Sequence, residues 1–400
     1  MLSWEQTPSL GPMRCCRAWV EIDLEALRHN VRQFKQHLGD QAQLMAVVKA
    51  DAYGHGAVMV AQAALRAGAS WLGVATVPEG IELRTAGIQA PILVMGAVNS
   101  SEEMQAIARW QLQPTLVTPK QALVFSETLS RLDAAGLVEV HLKLDTGMSR
   151  LGFPAAEAVE FVRFVRQLPH LTIGGVYSHF ATADSPNPTT MIQQHQRFQA
   201  AIAQLKTQNL LPPRLHLANT AATLADPTLH YDMVRVGLGL YGLYPAPHLQ
   251  SVLNLKPAMQ VKARITLLKD LPVGTGVSYG HSYVTDHPIR MAVVGIGYAD
   301  GVPRILSNRI NVMVKGQLAP QIGTITMDQL MVDVTHLPDL QEGDVATLLG
   351  QDGPHCITPD DWADLTQSIS WEILCGFKHR LPRIAVEQSL SSTQATIPGN

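Results

Sequence analysis

Short apolar runs alternate with longer amphipathic stretches from Gln43 to Leu240. Eight apolar runs predict strands, at residues 43–48, 71–76, 91–96, 113–117, 138–144, 171–180, 215–218 and 233–240. The stretches between them show helical spacing, among them residues 57–67, 101–109, 119–135, 155–167 and 189–208. Near-continuous apolar strands separated by helices indicate a parallel sheet. Eight βα units predict an α/β fold with a (β/α)8 TIM barrel over residues 18–245. The alternative is an open doubly wound sheet, in which two of these strands would be spurious.

The pattern changes after Tyr244, where Pro245, Pro247 and Pro257 mark a linker. Short β-branched runs broken by glycine turns then predict a mainly antiparallel β domain over residues 250–386. These runs are residues 260–269, 290–297, 309–315, 331–335 and 344–349, followed by one helix over 359–377 and a last strand over 380–386. The strand from Ala18 to Ile22 is not needed by the barrel and is a candidate partner for the β domain. Residues 1–17 are predicted to be a loose extension and residues 387–400 a frayed tail.

Composition and charge exclude several classes of function. The net charge is −3 and both signs are interspersed, so the chain has no basic patch for a nucleic acid or an anionic membrane. No apolar run is long enough to span a membrane. The N-terminus has no apolar core of a signal peptide, which predicts a cytoplasmic protein. The four cysteines have neither C-x-x-C nor metal-ligand spacing, which predicts reduced thiols and no metal site.

Polar side chains stand at the C-terminal ends of five predicted strands, the edge that carries the active site in TIM barrels. They are Lys49 and Tyr53, Lys143 and Arg150, Tyr177 and His179, His216 with Asn219 and Thr220, and Arg235 with Gly237. Each also has a simpler interpretation: Lys49 as a solvated lysine, His179 as a core histidine, Arg235 as a surface cation. Their convergence on one rim favours a shared site, with His179 bonded to Arg235 and Arg150 placed to capture a carboxylate.

The same strand ends indicate a cofactor. A lysine amine in an apolar pocket can form an imine. The loops after strands seven and eight are where barrels often bind phosphate, and Thr220 and Gly237 lie there. An imine-forming lysine opposite a phosphate site implies pyridoxal phosphate. Arg235 would face the pyridine nitrogen and keep the ring neutral, which suits a reaction that removes one proton and returns it.

Residues 237–242 also match the G-x-G-x-x-G pattern of dinucleotide-binding proteins. Prolines follow this segment where that motif requires a helix, and no acidic strand end lies about twenty residues further on. The dinucleotide interpretation is therefore rejected.

From Ala18 to Arg383 the chain resembles the bacterial alanine racemases, which are pyridoxal-phosphate enzymes of fold type III. The resemblance is carried by residues 46–56, which look like the cofactor-lysine signature, and by residues 142–152 with their Asp-Thr-Gly-Met segment. Residues 277–280, 297–301 and 323–329 look like the three motifs of the C-terminal domain.

The resemblance implies interconversion of L- and D-alanine by a two-base mechanism, in a homodimer with shared active sites that supplies D-alanine for peptidoglycan. Lys49 would hold the cofactor and act as one base, and Tyr279 of the partner subunit would be the other. The resemblance further implies that the phosphate is bound by Tyr53, Thr220, Gly237 and Leu238, and that the rest of the cofactor contacts His179, Asn219 and Arg235. The implied substrate contacts are Arg150, Met327 and Asp328, and Tyr298 would narrow the entrance. In some relatives the lysine that matches Lys143 is carbamylated.

Three positions depart from the family pattern. Thr220 stands where serine is commoner, Leu238 replaces isoleucine, and His379 stands where many members have a phosphate-binding tyrosine, with Lys378 as a possible substitute. A hydroxyl remains at position 220, so the change there is conservative.

Three other functions compete with alanine racemisation. One is racemisation of another small amino acid such as serine. Another is a decarboxylase of the same fold type, which needs a catalytic cysteine in its β domain; Cys356 and Cys375 lack the glycine-rich context of that residue. The last is a pyridoxal-phosphate carrier with a barrel alone, against which the C-terminal half argues.

Overall fold

The computed structural model describes residues 16–131, 137–377 and 379–387. In its N-terminal part the elements are β1 (Ala18–Asp23), α1 (Leu24–Leu38), β2 (Gln43–Val47), α2 (Lys49–Gly54), α3 (Ala57–Arg66), β3 (Trp71–Val74), α4 (Val77–Thr85), β4 (Ile92–Ala97), α5 (Ser101–Arg109), β5 (Gln113–Leu116), α6 (Pro119–Arg131), β6 (Val138–Asp145), β7 (Phe153–Pro154), α7 (Ala158–Arg166), β8 (Leu171–Tyr177), α8 (Thr189–Thr207), β9 (Leu215–His216), α9 (Thr220–Ala225) and β10 (Met233–Val236). The predicted helix over 119–135 is therefore described only to Arg131. The eighth predicted strand ends earlier than expected, because Leu238–Tyr241 is a 3₁₀ turn.

These strands form a parallel barrel, as the sequence predicted. Their order is β10-β2-β3-β4-β5-β6-β8-β9, which is a single ring of eight neighbours within the described residues. Two backbone hydrogen bonds close the ring between β9 and β10: Asp232 N donates to Leu215 O, and Arg235 N donates to Ala218 O, each at 3.0 Å. The TIM-barrel prediction is confirmed, and the open-sheet alternative is wrong.

Local sequence signals explain where the helices begin. The Asp23 carboxylate accepts from the backbone amides of Glu25 and Ala26 at 2.9 Å and caps α1. Ser100 Oγ accepts from the amide of Glu103 at 3.1 Å and caps α5. Such caps typically stabilise a helix by about 1 kcal/mol because they satisfy otherwise unpaired amides.

The C-terminal part is mainly antiparallel. Its elements are β11 (Met259–Leu271), β12 (Gly276–Val277), β13 (Tyr283–Val284), β14 (Ile289–Val294), β15 (Asn311–Val314), β16 (Gln317–Ile322), β17 (Leu330–Asp333), β18 (Val345–Asp352), β19 (His355–Ile357), α10 (Pro359–Thr366), α11 (Ser370–Gly376) and β20 (Arg383–Val386). The prediction of one helix over 359–377 is wrong, because Gln367 adopts a left-handed φ of 54° and ends α10. The last strand starts at Arg383 and not at residue 380.

The N-terminal strand belongs to the sheet of the C-terminal domain. β1 pairs antiparallel with β11, where Val20 faces Val261, and parallel with β20, where Val20 faces Arg383. Arg17, which the sequence placed in a loose extension, is held by an ion pair with the buried Asp300 at 2.7 Å. This corrects the prediction at Arg17; residues 1–15 lie outside the described part of the chain.

At the other end, Glu387 accepts a hydrogen bond from Arg28 at 3.0 Å, and the rest of the predicted tail, residues 388–400, is not described. Among the described helices, none combines the length and apolarity needed to cross a membrane.

Candidate active site

A cavity of about 580 Å³ opens at the C-terminal ends of the barrel strands. Its lining contains the predicted residues Lys49, Tyr53, Lys143, Arg150, His179, Asn219, Thr220, Arg235, Gly237 and Leu238. Sequence reasoning missed Trp371 and Cys375, which α11 contributes to the lining. The cavity is therefore built by both domains.

Lys49 opens a turn of unusual backbone geometry. The next four residues, Ala50, Asp51, Ala52 and Tyr53, all have φ between 52° and 55°. Left-handed conformation costs an L-residue roughly 1–2 kcal/mol, so the surroundings must hold this turn in place. The turn brings Lys49 and Tyr53, four residues apart, to the lining of one cavity.

Hydrogen bonds from several elements hold this turn and the residues that follow it. Glu79 Oε1 accepts from Ala50 N at 2.7 Å, and Asp51 Oδ1 accepts from Ala57 N at 2.8 Å. The Nδ1 atom of His55 lies 3.1 Å from the carbonyl oxygens of Ala52 and Tyr53. Arg383 Nε donates to Gly54 O at 3.0 Å. Arg383 belongs to β20, so the C-terminal domain helps to position the lysine.

Hydroxyl and amide groups form a cradle beside this turn. Thr220 Oγ1 accepts from Gly237 N at 3.0 Å, and Asn219 caps α9 by accepting from Ala222 N at 3.0 Å. A Cβ atom at position 237 would lie 2.6 Å from the Tyr53 hydroxyl oxygen, so any other residue there would displace the Tyr53 ring. Polar groups around a space that a single methyl would fill suit a compact anion such as a phosphate.

Arg235 is a buried cation whose partners are neutral. It is 3% exposed, and it donates to Ser178 O at 2.7 Å and Leu217 O at 3.1 Å. Among the described residues no carboxylate lies within ion-pair distance of it. Burial lowers its pKa to about 10, so it remains charged at neutral pH. It can donate to a neutral ring nitrogen but does not give up its proton.

Two histidines bond to Arg235. His179 Nδ1 and His216 Nδ1 each lie 3.1 Å from the guanidinium. Burial, followed by the charge of Arg235, holds the pKa of both imidazoles well below the usual range, so both are neutral. The sequence places His216 at a strand end, as it does His179, and the structure adds its contact with Arg235.

Lys143 is buried on the same side of the barrel. It is 5% exposed, and its Nζ lies 5.5 Å from the centre of the Tyr177 ring. Burial, together with the positive charges of Arg235 and Arg150, lowers its pKa to about 8. A larger fraction of this amine is therefore neutral near pH 7 than in an ordinary lysine.

Four predicted site residues lie on an exposed surface of the C-terminal domain, here called the C-domain patch: Tyr279, Tyr298, Met327 and Asp328. The first three are 70%, 42% and 52% exposed. The patch is held together by Thr324 Oγ1, which donates to Tyr279 O at 2.8 Å, and by Tyr298 N, which donates to Thr326 O at 3.0 Å. The described residues that line the cavity of the same chain include none of the four. Exposed aromatic and apolar side chains in one patch are typical of an interaction surface.

His379 is exposed and is likewise not among the described residues of the cavity lining. Its neighbour Arg380 donates to the Asp328 carboxylate at 2.6 Å. The structure of one chain therefore does not bring His379 to the phosphate cradle, and Lys378 lies outside the described residues.

Two family profiles together match most of this chain. The profile of the alanine racemase N-terminal domain matches residues 22–245, and that of the C-terminal domain matches residues 258–385. An alanine racemase of Nostoc sp. is 66% identical over 92% of this chain and 96% of its own length. One from Synechocystis sp. is 61% identical over 92% of this chain and 99% of its own.

Solved structures agree with the sequence comparisons. The alanine racemase of Clostridium difficile superposes with a TM-score of 0.88 at 34% identity, covering 93% of this chain and 96% of its own. The enzyme from Bacillus anthracis with bound L-Ala-P gives a TM-score of 0.87 at 34% identity, covering 93% of this chain and 95% of its own. On its motifs, its two domains and these relatives, the chain belongs to the alanine racemase family.

Proposed function

We propose that this protein interconverts L-alanine and D-alanine with pyridoxal phosphate bound in the barrel cavity. The observation that carries the proposal is one cavity that joins the Lys49 amine, the cradle of Thr220 and Gly237, and the buried cation Arg235. The cradle fits a phosphate, and Arg235 fits a neutral ring nitrogen. The alanine racemases to which the chain is similar support the same assignment.

When bound, pyridoxal phosphate withdraws electrons and makes the Cα–H bond of an amino acid acidic. Arg235 holds a neutral ring nitrogen and donates no proton to it, which keeps this withdrawal weak. Weak withdrawal suits a reaction in which the proton returns to the same carbon. Arg150, at the mouth of the cavity, binds the carboxylate of the substrate through its paired N–H donors.

The two bases act on opposite faces of the substrate carbon. Lys49 takes or returns the proton on one face. Tyr279 of the partner subunit does so on the other, because the described cavity of one chain contains no Tyr279 and that tyrosine is exposed on the C-domain patch. The protein therefore acts as a homodimer with two shared sites. Tyr298, Met327 and Asp328 reach the neighbouring site from the same patch.

Decarboxylation is not proposed as a second function. Cys375 does line the cavity, but it lies on α11 beside Trp371, and the Nostoc and Synechocystis relatives are alanine racemases. Supply of D-alanine for peptidoglycan, a cytoplasmic location and contact of His379 with the phosphate stay predictions.

The function is tested by incubating protein loaded with pyridoxal phosphate with L-alanine or L-serine and following ellipticity. We expect the alanine signal to decay to zero, because the two enantiomers are equally stable, and the serine signal to decay more slowly. Apo-protein without added cofactor is the control. A constant alanine signal, or release of carbon dioxide, would contradict the proposal.

We also propose that Lys143 is carbamylated. Its neutral amine would attack carbon dioxide, form a nitrogen–carbon bond and release a proton, which leaves an anion beside Arg150. Since its pKa is about 8, the reactive neutral amine should increase as pH rises toward 8 and beyond. NMR with isotopically labelled carbonate should show a carbamate signal that grows over this range and is missing in Lys143→Ala. An equal signal in Lys143→Ala would place the carbamate elsewhere.

A further inference from the structure

We infer that Gln113 is a positioning residue for Arg235 and acts on it through two buried histidines held in a single tautomer. Gln113 begins β5, so it lies toward the end of the barrel opposite the cavity. The inference deepens the proposed function and rests on Arg235 facing the ring of the cofactor.

A continuous chain of hydrogen bonds joins the two residues through the barrel interior. Arg235 Nη1 lies 3.1 Å from His216 Nδ1, and His216 Nε2 lies 2.9 Å from His141 Nδ1. His141 Nε2 in turn lies 3.0 Å from Gln113 Oε1. Both imidazole rings are fully buried. Tyr177 stacks on His216 with 4.6 Å between ring centres, and Trp71 meets the edge of His141, so neither ring is free to turn.

Arg235 determines which atom donates and which accepts in every hydrogen bond between it and Gln113. An arginine has only donors, so His216 Nδ1 must accept. A neutral His216 then carries its proton on Nε2 and donates to His141 Nδ1. Because Nδ1 of His141 accepts this bond, a neutral His141 also carries its proton on Nε2. It donates that proton to the side-chain carbonyl oxygen of Gln113, which is the required acceptor. The reverse order would place an imidazole N–H against the guanidinium.

Burial and nearby positive charge keep both imidazole rings neutral. The charged groups that face them are Arg235 and Arg214, both cations; Arg214 is paired with Glu139 at 2.8 Å. Burial, with these charges, lowers the pKa of His141 to about 3 and that of His216 well below its usual value. The rings therefore stay neutral at neutral pH.

Loss of the Gln113 oxygen leaves a buried N–H without an acceptor, which is unfavourable. If His141 changes its tautomer so that this N–H is lost, His216 must change its tautomer too. The Nδ1–H of His216 would then face an N–H group of Arg235. The guanidinium can then no longer keep all of its bonds, and its orientation toward the cavity is lost.

The tautomers are tested directly by long-range proton–nitrogen correlation NMR on the full-length protein without cofactor. We expect His141 and His216 to be neutral and protonated on Nε2 throughout the neutral pH range. Protonation of either ring on Nδ1, or on both nitrogens, would overturn the inference. This measurement decides the question even if a variant fails to fold, and it does not depend on any activity.

The positioning role is tested with Gln113→Met, which keeps the volume and removes the acceptor. Gln121→Met is the matched control, since Gln121 is buried and its Oε1 accepts from Val117 N at 2.8 Å. Among the described residues, it makes no hydrogen bond to the two histidines or to Arg235. If Arg235 no longer held the ring nitrogen neutral, the proton would be returned to the substrate carbon less often; the amino group would then stay on the cofactor, and the rest of the alanine would leave as pyruvate. In the loaded protein we therefore expect Gln113→Met to raise the ratio of pyruvate released to alanine racemised by about tenfold, the usual effect of one lost hydrogen bond. Equal ratios in the two variants would overturn the inference. If the wild type racemises no alanine, the proposed function fails. The NMR measurement of the two histidine tautomers would still test the hydrogen-bond chain from Gln113 to Arg235.

Discussion

Borohydride treatment of the loaded protein should attach the cofactor covalently to Lys49, and Lys49→Ala should abolish racemisation. Lys49 is held at the cavity by the left-handed turn of residues 50–53. Glu79 bonds to the backbone of this turn at Ala50, and Arg383 of the other domain bonds to Gly54 directly after it. A missing proton-transfer group alone lowers a rate by roughly 10²–10⁴-fold, and loss of covalent cofactor attachment adds to this. Peptide mapping locates the label, and an ellipticity assay measures the rate.

Lys143 provides the internal comparison, because it lines the same cavity and has a lowered pKa. Lys143→Ala should retain the label at Lys49. A label on Lys143 in the wild-type protein would contradict the assignment of Lys49. Thermal unfolding of Lys49→Ala without cofactor should match that of the wild type, which separates a missing amine from a misfolded turn.

The strand ends could be predicted from the sequence because parallel strands bring their C-terminal residues to one edge. Lys49, His179 and Arg235 are far apart in the chain, yet each lies within two residues of the end of a barrel strand, and the barrel rule alone places them together. The same rule does not say how a loop turns after its strand. The left-handed conformation of residues 50–53 has no local signal, since alanine and tyrosine do not favour it. In the folded protein the backbone of this turn is hydrogen-bonded by Glu79 at Ala50, and Arg383 bonds to Gly54 just after the turn.

Other features depend on contacts between domains or between chains. Trp371 and Cys375 enter the cavity only because α11 packs against the barrel, and nothing in their own segment indicates this. The break at Gln367 is similar, because a single left-handed residue divides a stretch whose apolar spacing looks like one helix. The role of Tyr279 is predicted by the motif of residues 277–280. Its exposed position has a physical explanation only if a second chain is considered.

Mixed dimers of Lys49→Ala and Tyr279→Phe should regain racemase activity that neither variant has by itself. In each homodimer both sites carry one lesion, so both proteins should be nearly inactive. If Tyr279 serves the site of the partner subunit, a mixed dimer contains one site with both lesions and one with neither. The C-domain patch, where Tyr279 is 70% exposed and outside the described lining of its own cavity, is the basis of this expectation.

The experiment is performed by unfolding the two variants together, removing the denaturant in the presence of pyridoxal phosphate, and measuring activity per dimer. Random assortment makes half of the dimers mixed, and half of the sites in those are intact, so activity should reach about a quarter of the wild-type value. Wild type taken through the same procedure corrects for incomplete refolding, and each variant refolded alone gives the background. A tyrosine that acted within its own chain would leave one lesion in every site, and no activity would return. That result would refute the shared site, and with it the reason why this protein must be a dimer to act.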